Sequence, residues 1–208
     1  ASHYRLVLTK NDLETLEPET WLNDVVISFF IREHIPAYGP TFNFDAQLFA
    51  TLLQAFNTSK SIEGMYRAIR GITASFPYEK YKYVMVPICM HGHWSFVILQ
   101  NPVMAFDNVN RYFFHVDSLL MHDTKIVHKI LGGYFNAEQD MKFPAKPATK
   151  FIVQTYQTSP RQTNGFDCGV FVLYFMKKVN EVLLRDENVY LIQDMKTLVK
   201  VPRKLRFD

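Results

Sequence analysis

Cys168 stands between a turn and a long apolar run, in Pro160-Arg161-Gln162-Thr163-Asn164-Gly165-Phe166-Asp167-Cys168-Gly169-Val170-Phe171. Asn164-Gly165 is a turn dipeptide, and Asp167 is a good helix N-cap. Residues 170–184 lack proline and glycine and are apolar nearly all round as far as Lys177, which predicts a buried helix with Cys168 in its first turn. There, unpaired backbone N–H groups and the positive end of the helix dipole favour a thiolate, the form a cysteine nucleophile needs. A lone cysteine at a helix start is by default a small buried apolar residue. Its company decides between the two.

A thiol nucleophile needs a base, and the base needs a group to orient it. His93 can accept the Cys168 proton, and Asp117 can hold the imidazole in one tautomer. Gln162 can donate an amide hydrogen to an oxyanion beside the Cys168 backbone N–H. All four lie next to turns or element ends. Taken singly, His93 could be a hairpin histidine, Asp117 a helix cap before Ser118, and Gln162 a surface residue. The same region offers a second chemistry: His91-x-His93 and His115-x-Asp117 each put two metal-ligand types on one strand face. That reading leaves the Cys168 block unexplained.

The positioning elements read as follows. Residues 83–88 and 94–99 are apolar runs of buried strands, turned by His91-Gly92-His93, and residues 112–117 form a third strand. This sets His93 at the start of one strand and Asp117 at the end of another. Residues 4–8 alternate as a short strand would, and Asn11 or Asp12 can cap a turn carrying Leu13 and Leu16 that Pro18 ends. Residues 21–32 predict a helix opening beside Trp21, a core anchor by default but placed so that one face could meet a ligand. Helical spacing recurs at 42–56, at 62–69 within the weakly periodic stretch 57–82, at 121–135 with Gly132-Gly133 as its stop, and at 189–199 before Pro202. Residues 143–149 read as a loop and 151–156 as a strand. One α+β domain over residues 1–208 accounts for the whole, with helices packed around a small sheet.

Composition narrows the classes. A hydrophobic fraction of 48%, with 18 phenylalanines and 11 tyrosines, predicts an ordered aromatic-rich globule. The net charge of +3, with basic residues bunched only at 200–206, does not indicate a nucleic-acid surface. Cys89 and Cys168 alone give neither a disulfide framework nor a thiolate metal cluster, which fits a reducing, intracellular setting. No run approaches the roughly 20 apolar residues of a membrane span. The chain starts without methionine, as a processed protein or a fragment of a longer one would.

Three blocks carry a resemblance: Trp21-Leu22-Asn23-Asp24; Val86-Pro87-Ile88 leading to His93-Trp94-Ser95 and then Asp117-Ser118-Leu119; and Pro160-x-Gln162-x-Asn164-Gly165-x-Asp167-Cys168-Gly169. In this order they resemble the ubiquitin-like-protein-specific cysteine proteases, the sentrin/SUMO protease family related to the adenoviral proteinase. The resemblance implies a papain-like fold of the adenoviral-proteinase type, with Cys168, His93, Asp117 and Gln162 as catalytic residues. It implies cleavage after the C-terminal Gly-Gly of a ubiquitin-like modifier, SUMO first, both from lysine conjugates and from precursors. Trp21 and Trp94 would close over the Gly-Gly tail, and Asp24 would meet a basic side chain of the modifier. The expected protein is a nuclear or cytoplasmic monomer with no cofactor, no metal, no nucleic acid and no membrane as partner. Two departures stand out. Arg161 replaces a second glutamine, and the longer segment between Trp94 and Asp117 contains Asp107, a rival third member of the triad. A deneddylase or deubiquitinase of the same fold, a non-catalytic binder and a metal hydrolase are the competing classes.

Overall fold

The computed structural model describes residues 6–37, 39–104, 109–185 and 191–200, with the side chains of 191–194 excluded. Its elements run α1 Lys10–Glu14, α2 Asp24–His34, β1 Thr41–Asn43, α3 Gln47–Ser59, α4 Ile62–Thr73 and a 3₁₀ turn Tyr78–Lys80. Then follow β2 Tyr83–Met90, β3 His93–Gln100, β4 Arg111–Asp117, α5 Thr124–Val127, a π-helical turn His128–Gly132 and α6 Gly133–Lys142. β5 Phe151–Gln157, α7 Cys168–Arg185 and α8 Leu191–Leu198 complete the order.

The five strands form one sheet in the order β1-β2-β3-β4-β5. The central three are antiparallel, and the short β1 and the edge strand β5 add in parallel at either side. Alternation along the strands divides their side chains between two cores. Met85, Trp94, Phe96, Ile98, Phe114 and Val116 face α2 and α7, whereas Val84, Val86, Val97, Leu99 and Phe113 face α3, α4 and α6. Burial on both faces explains why these strands read as continuous apolar runs rather than polar-apolar alternations. The fold is that α+β arrangement expected from the sequence.

Several local expectations give way. Residues 6–8 form no strand, while Tyr4 and Arg5 lie outside the described residues. α1 is capped by Thr9 and not by Asn11 or Asp12; Asp12 at the third helical position returns the bond in a capping box. Phe42 and Phe44 do not open a helix: Thr41–Asn43 pairs with Tyr83–Met85, and α3 starts only at Gln47. α4 extends through Thr73. Gly132-Gly133 does not stop a helix but sits inside one continuous helical run. A Cβ on Gly133 would lie 2.7 Å from Ile62 Cδ1, and one on Gly132 would lie 2.7 Å from the His128 ring, so this pair permits close packing. Pro202 lies outside the described residues. No helix among them is long and apolar enough to cross a membrane.

Candidate active site

The site begins at the β2–β3 turn. His91 and Gly92 both take positive φ, 53° and 69°, the two-residue form that matches strand twist, with Met90 paired to His93. His93 is thereby the first residue of β3, and Asp117 the last of β4. His93 Nε2 and Asp117 Oδ1 are 2.7 Å apart, and both side chains are almost fully buried. The carboxylate is also held from behind. Oδ1 accepts the backbone N–H of Leu119 and Leu120 at 2.9 Å each, and Oδ2 accepts that of His122 at 3.0 Å.

Electrostatics follow from these bonds. Burial works against charge on His93, but hydrogen bonds to Asp117 and Cys168 outweigh it and push its pKa up to about 9. Burial likewise opposes charge on Asp117, yet the His93 bond and the backbone donors hold its carboxyl well below the usual range. An anionic carboxylate, a protonation-prone imidazole and a thiol therefore stand in sequence.

Cys168 is the first residue of α7 and 1% exposed. The turn before it is built by Asn164, whose Oδ1 accepts Phe166 N–H and Asp167 N–H at 3.2 and 3.0 Å. Asp167 occupies the cap position, its carbonyl accepting Phe171 N–H, but its carboxylate accepts from Asn164 Nδ2 at 2.6 Å. Gly169 lets α7 come close: a Cβ there would lie 3.1 Å from Leu22 Cβ and 3.3 Å from Ile27 Cδ1. Gln162 is buried beside the turn. Its Oε1 accepts Ser118 Oγ–H at 2.6 Å, and its Nε2 donates to Asn164 O at 2.8 Å.

Each residue of Trp21-Leu22-Asn23-Asp24 has a separate task. Trp21, 54% exposed, donates its indole N–H to Gly165 O at 2.5 Å and lies over Gly92, where an added Cβ would sit 3.3 Å from the ring. Leu22 is buried, and its carbonyl accepts Trp94 Nε1–H at 2.9 Å. Asn23 caps α2 through Val26 N–H and donates to Asp12 Oδ1 at 2.8 Å, joining α1 to α2. Asp24 is exposed on the first turn of α2, one oxygen accepting Gln47 Nε2–H at 2.7 Å. A groove of about 500 Å³ opens here, lined by Trp21, Asp24, Ala46, Ala50, Cys89 and Trp94 among others. Trp94 is only 5% exposed, so it is a groove wall and a core residue together. Burial, the neighbouring Cys168 and Asp24 push the Cys89 thiol up to about 11, away from a second nucleophile.

Cys168, His93, Asp117 and Gln162 thus come together, as do Trp21, Asp24 and Trp94 along one groove. Asp107 lies outside the described residues. The metal pairs do not assemble as ligand sets: His91 is exposed in the turn, and both nitrogens of His115 face hydroxyls. Among the described residues the groups that do cluster are His93, Asp117 and His122, with ligand atoms within 4.8 Å of one another. His122 has both nitrogens engaged, by Ser95 Oγ at 2.7 Å and Met90 O at 2.9 Å, so it offers no free lone pair. Sequence reasoning missed His122 because a lone histidine after exposed Leu120 and Met121 carries no periodic signal. Ser118 is a second such residue, visible only as part of a motif.

Comparison with known proteins supplies a family and a shared fold. A "Sentrin-specific protease" of Caenorhabditis elegans is 29% identical over 176 residues, covering 83% of this chain and 23% of that protein. "Sentrin-specific protease 2" of Mus musculus is 26% identical over 210 residues, covering 96% and 32%. The chain thus spans about a quarter to a third of the length of these relatives. Among solved structures, a de-sumoylating protease superposes with TM-score 0.71 at 20% identity, over 91% of this chain and 73% of that one. The C-terminal Ulp1 protease domain in complex with Smt3, the yeast ortholog of SUMO, gives 0.60 at 22% identity, over 83% and 71%. These two likenesses carry the fold. The model of the Ulp1 protease family's C-terminal catalytic domain matches residues 20–202, and the chain accordingly belongs to that family of cysteine proteases.

Proposed function

We propose that the chain is a thiol isopeptidase and peptidase that cleaves after the C-terminal Gly-Gly of a ubiquitin-like modifier, SUMO in the first place. The observation that carries the reading is the run Cys168, His93, Asp117 beside a groove walled by two tryptophans, whose lining residues Gly92 and Trp94 flank His93 in the chain and whose Cys89 neighbours Cys168. In the first step Cys168 Sγ attacks the glycine carbonyl and forms a C–S bond, giving a tetrahedral oxyanion whose collapse breaks the C–N bond. His93, holding the thiol proton, passes it to the leaving lysine amine. Water then attacks the thioester, giving one proton to His93; the C–S bond breaks, Cys168 leaves as the thiolate beside the imidazolium, and the released carboxylic acid loses its remaining proton to solvent. Asp117 keeps the imidazole oriented through both steps.

The oxyanion of each tetrahedral intermediate is met by the Cys168 backbone N–H and by the second amide hydrogen of Gln162. That hydrogen has only a weak competitor, Asn164 Oδ1 at 3.4 Å. Ser118 and Asn164 fix the amide in place. Glycine specificity follows from the walls, since a side chain on either tail residue would strike an indole. Asp24, exposed and with Gln47 on one oxygen only, takes a basic side chain of the modifier. SUMO is favoured because relatives are named sentrin-specific proteases and a similar fold was solved with Smt3.

Modifier probes with a C-terminal electrophile, based on SUMO, the Nedd-type modifier and ubiquitin, test this directly. One adduct with the SUMO probe, lost in Cys168→Ala while binding persists, is the expected result. Labelling by another modifier alone would reassign the substrate, and labelling that survives Cys168→Ala would remove Cys168 as nucleophile.

A further inference from the structure

A buried polar run leaves the catalytic centre on the side away from Cys168, and its direction can be read. His122 Nε2 faces the Met90 carbonyl at 2.9 Å, and a carbonyl only accepts, so Nε2 carries the hydrogen. In the neutral ring Nδ1 is then an acceptor, and Ser95 Oγ–H must donate to it across 2.7 Å. With its hydrogen committed, Ser95 Oγ accepts from His115 Nε2–H at 2.9 Å. His115 Nδ1 therefore accepts from Thr124 Oγ–H at 2.7 Å, and Thr124 Oγ from Thr155 Oγ–H at 2.9 Å. Thr155 is exposed, so the chain of bonds starts at solvent and ends on one backbone carbonyl.

His122 touches the reacting pair twice. Its backbone N–H holds Asp117 Oδ2, and its ring meets the His93 ring at 4.8 Å and 66°. We propose that His122 is a positioning residue for His93 and Asp117, kept neutral and in one orientation by the directed bonds from Thr155 to Met90, so that positive charge develops on His93 alone. This deepens the protease reading and rests on it.

The three imidazoles divide accordingly. Burial lowers the His122 pKa and takes His115 down to about 4, whereas His93 goes up to about 9. The groups facing His122 are His93, Asp117 and His91; those facing His115 are Asp117, His122 and His93. Ser95→Ala removes the hydroxyl that holds Nδ1 of His122, so the ring is no longer fixed in one tautomer and orientation. Its two holds, on Asp117 Oδ2 and on the His93 ring, loosen together, and the neutral thiol and imidazole gain on the thiolate–imidazolium pair.

The rate of Cys168 alkylation by iodoacetamide, read on its own peptide by mass spectrometry, reports this pair without any modifier. Ser95→Ala is expected to slow alkylation about tenfold near pH ~7, where the thiolate depends on the His93 imidazolium, while near pH ~10, where a thiol ionises unaided, the rate stays within about threefold of wild type. His122→Gln, a group that is never charged and can donate to Met90 O and accept from Ser95, should stay close to the wild-type rate near pH ~7. Equal slowing of Ser95→Ala at every pH, or a His122→Gln rate as low as that of Ser95→Ala, would make the run merely structural. If Ser95→Ala does not fold, Thr124→Val breaks the same chain nearer solvent and is read by the same criteria. Should the protease reading fail instead, wild type would not cleave any modifier, yet its alkylation near neutral pH would still fall with Ser95→Ala.

Discussion

The two ends of the site are built on opposite plans. At the acid–base end His93 and Asp117 are 2% and 1% exposed, set on the ends of adjacent central strands and bonded on every side. At the groove end Trp21 is 54% exposed, and Asp24 and Ala50 sit on helix surfaces, each held by few bonds. A carboxylate beside an imidazole must be fixed and dry to be useful, because water would screen it and mobility would misplace it. A groove for a flexible tail tolerates more freedom. The difference teaches that the buried polar pair is tied to the sheet, while the groove walls on α2 and α3 can be altered with little cost to the fold.

Substitutions at each end sharpen that contrast. Asp117→Asn should lower kcat by about 10³–10⁴, on the scale of the serine-protease triad, because the imidazole loses its anionic holder. Asp107→Asn should do little, and steady-state kinetics of both variants with a modifier substrate would decide between them. The two tryptophans should then separate. Trp94→Ala is expected to cost about 3–5 kcal/mol of stability, as large aromatic truncations in cores do. Trp21→Ala should cost only about 1 kcal/mol, the worth of the one hydrogen bond it makes to Gly165, and act on KM for the proposed Gly-Gly tail. Equal loss of stability in both, measured by denaturant unfolding, would break the distinction between the ends.

A further effect is one of pH. The His93 pKa is raised above its usual value, so the imidazolium is present below about 9 and is lost as pH rises through it. Turnover that needs this proton for the leaving amine should fall about tenfold per pH unit beyond that point. Asp117, shifted the other way, stays ionised throughout the neutral and mildly acid range. A pH–rate profile flat through pH ~10 would show that His93 is not the proton donor.

Much of the site was legible because its residues sit where strands and helices begin or end, and those ends carry turn signals. His91-Gly92 and Asn164-Gly165 mark them in one dimension. The apolar runs of β2, β3 and β4 are likewise plain, since a sheet covered on both faces needs them. β1 was not, because three residues have no period and Phe42 and Phe44 also fit the helical spacing of Leu48 and Leu52. Gly132-Gly133 misled for a related reason: glycine as a stop and glycine as a close contact look alike until Ile62 is placed against it. His122 was invisible because its partners Met90 and Ser95 meet it only through strand register. Asn23, by contrast, was noticed as a motif residue, but its joining of α1 to α2 needed the position of Asp12.

The indole bond from Trp21 to Gly165 closes a loop of 144 residues, whereas His93 and Asp117 are 24 residues apart. Short loops close at lower entropic cost, so the antiparallel strands can bring imidazole and carboxylate together long before the far segments arrive. Cys168, at the start of α7, is then expected to be the last part to join. During synthesis or refolding, a chain of this design would carry the imidazole–carboxylate pair before any thiol stood beside it, and would become reactive only on completion. Alkylation of Cys168 during refolding should therefore quicken late, in step with docking of α7, and a thiol reactive from the outset would contradict that order.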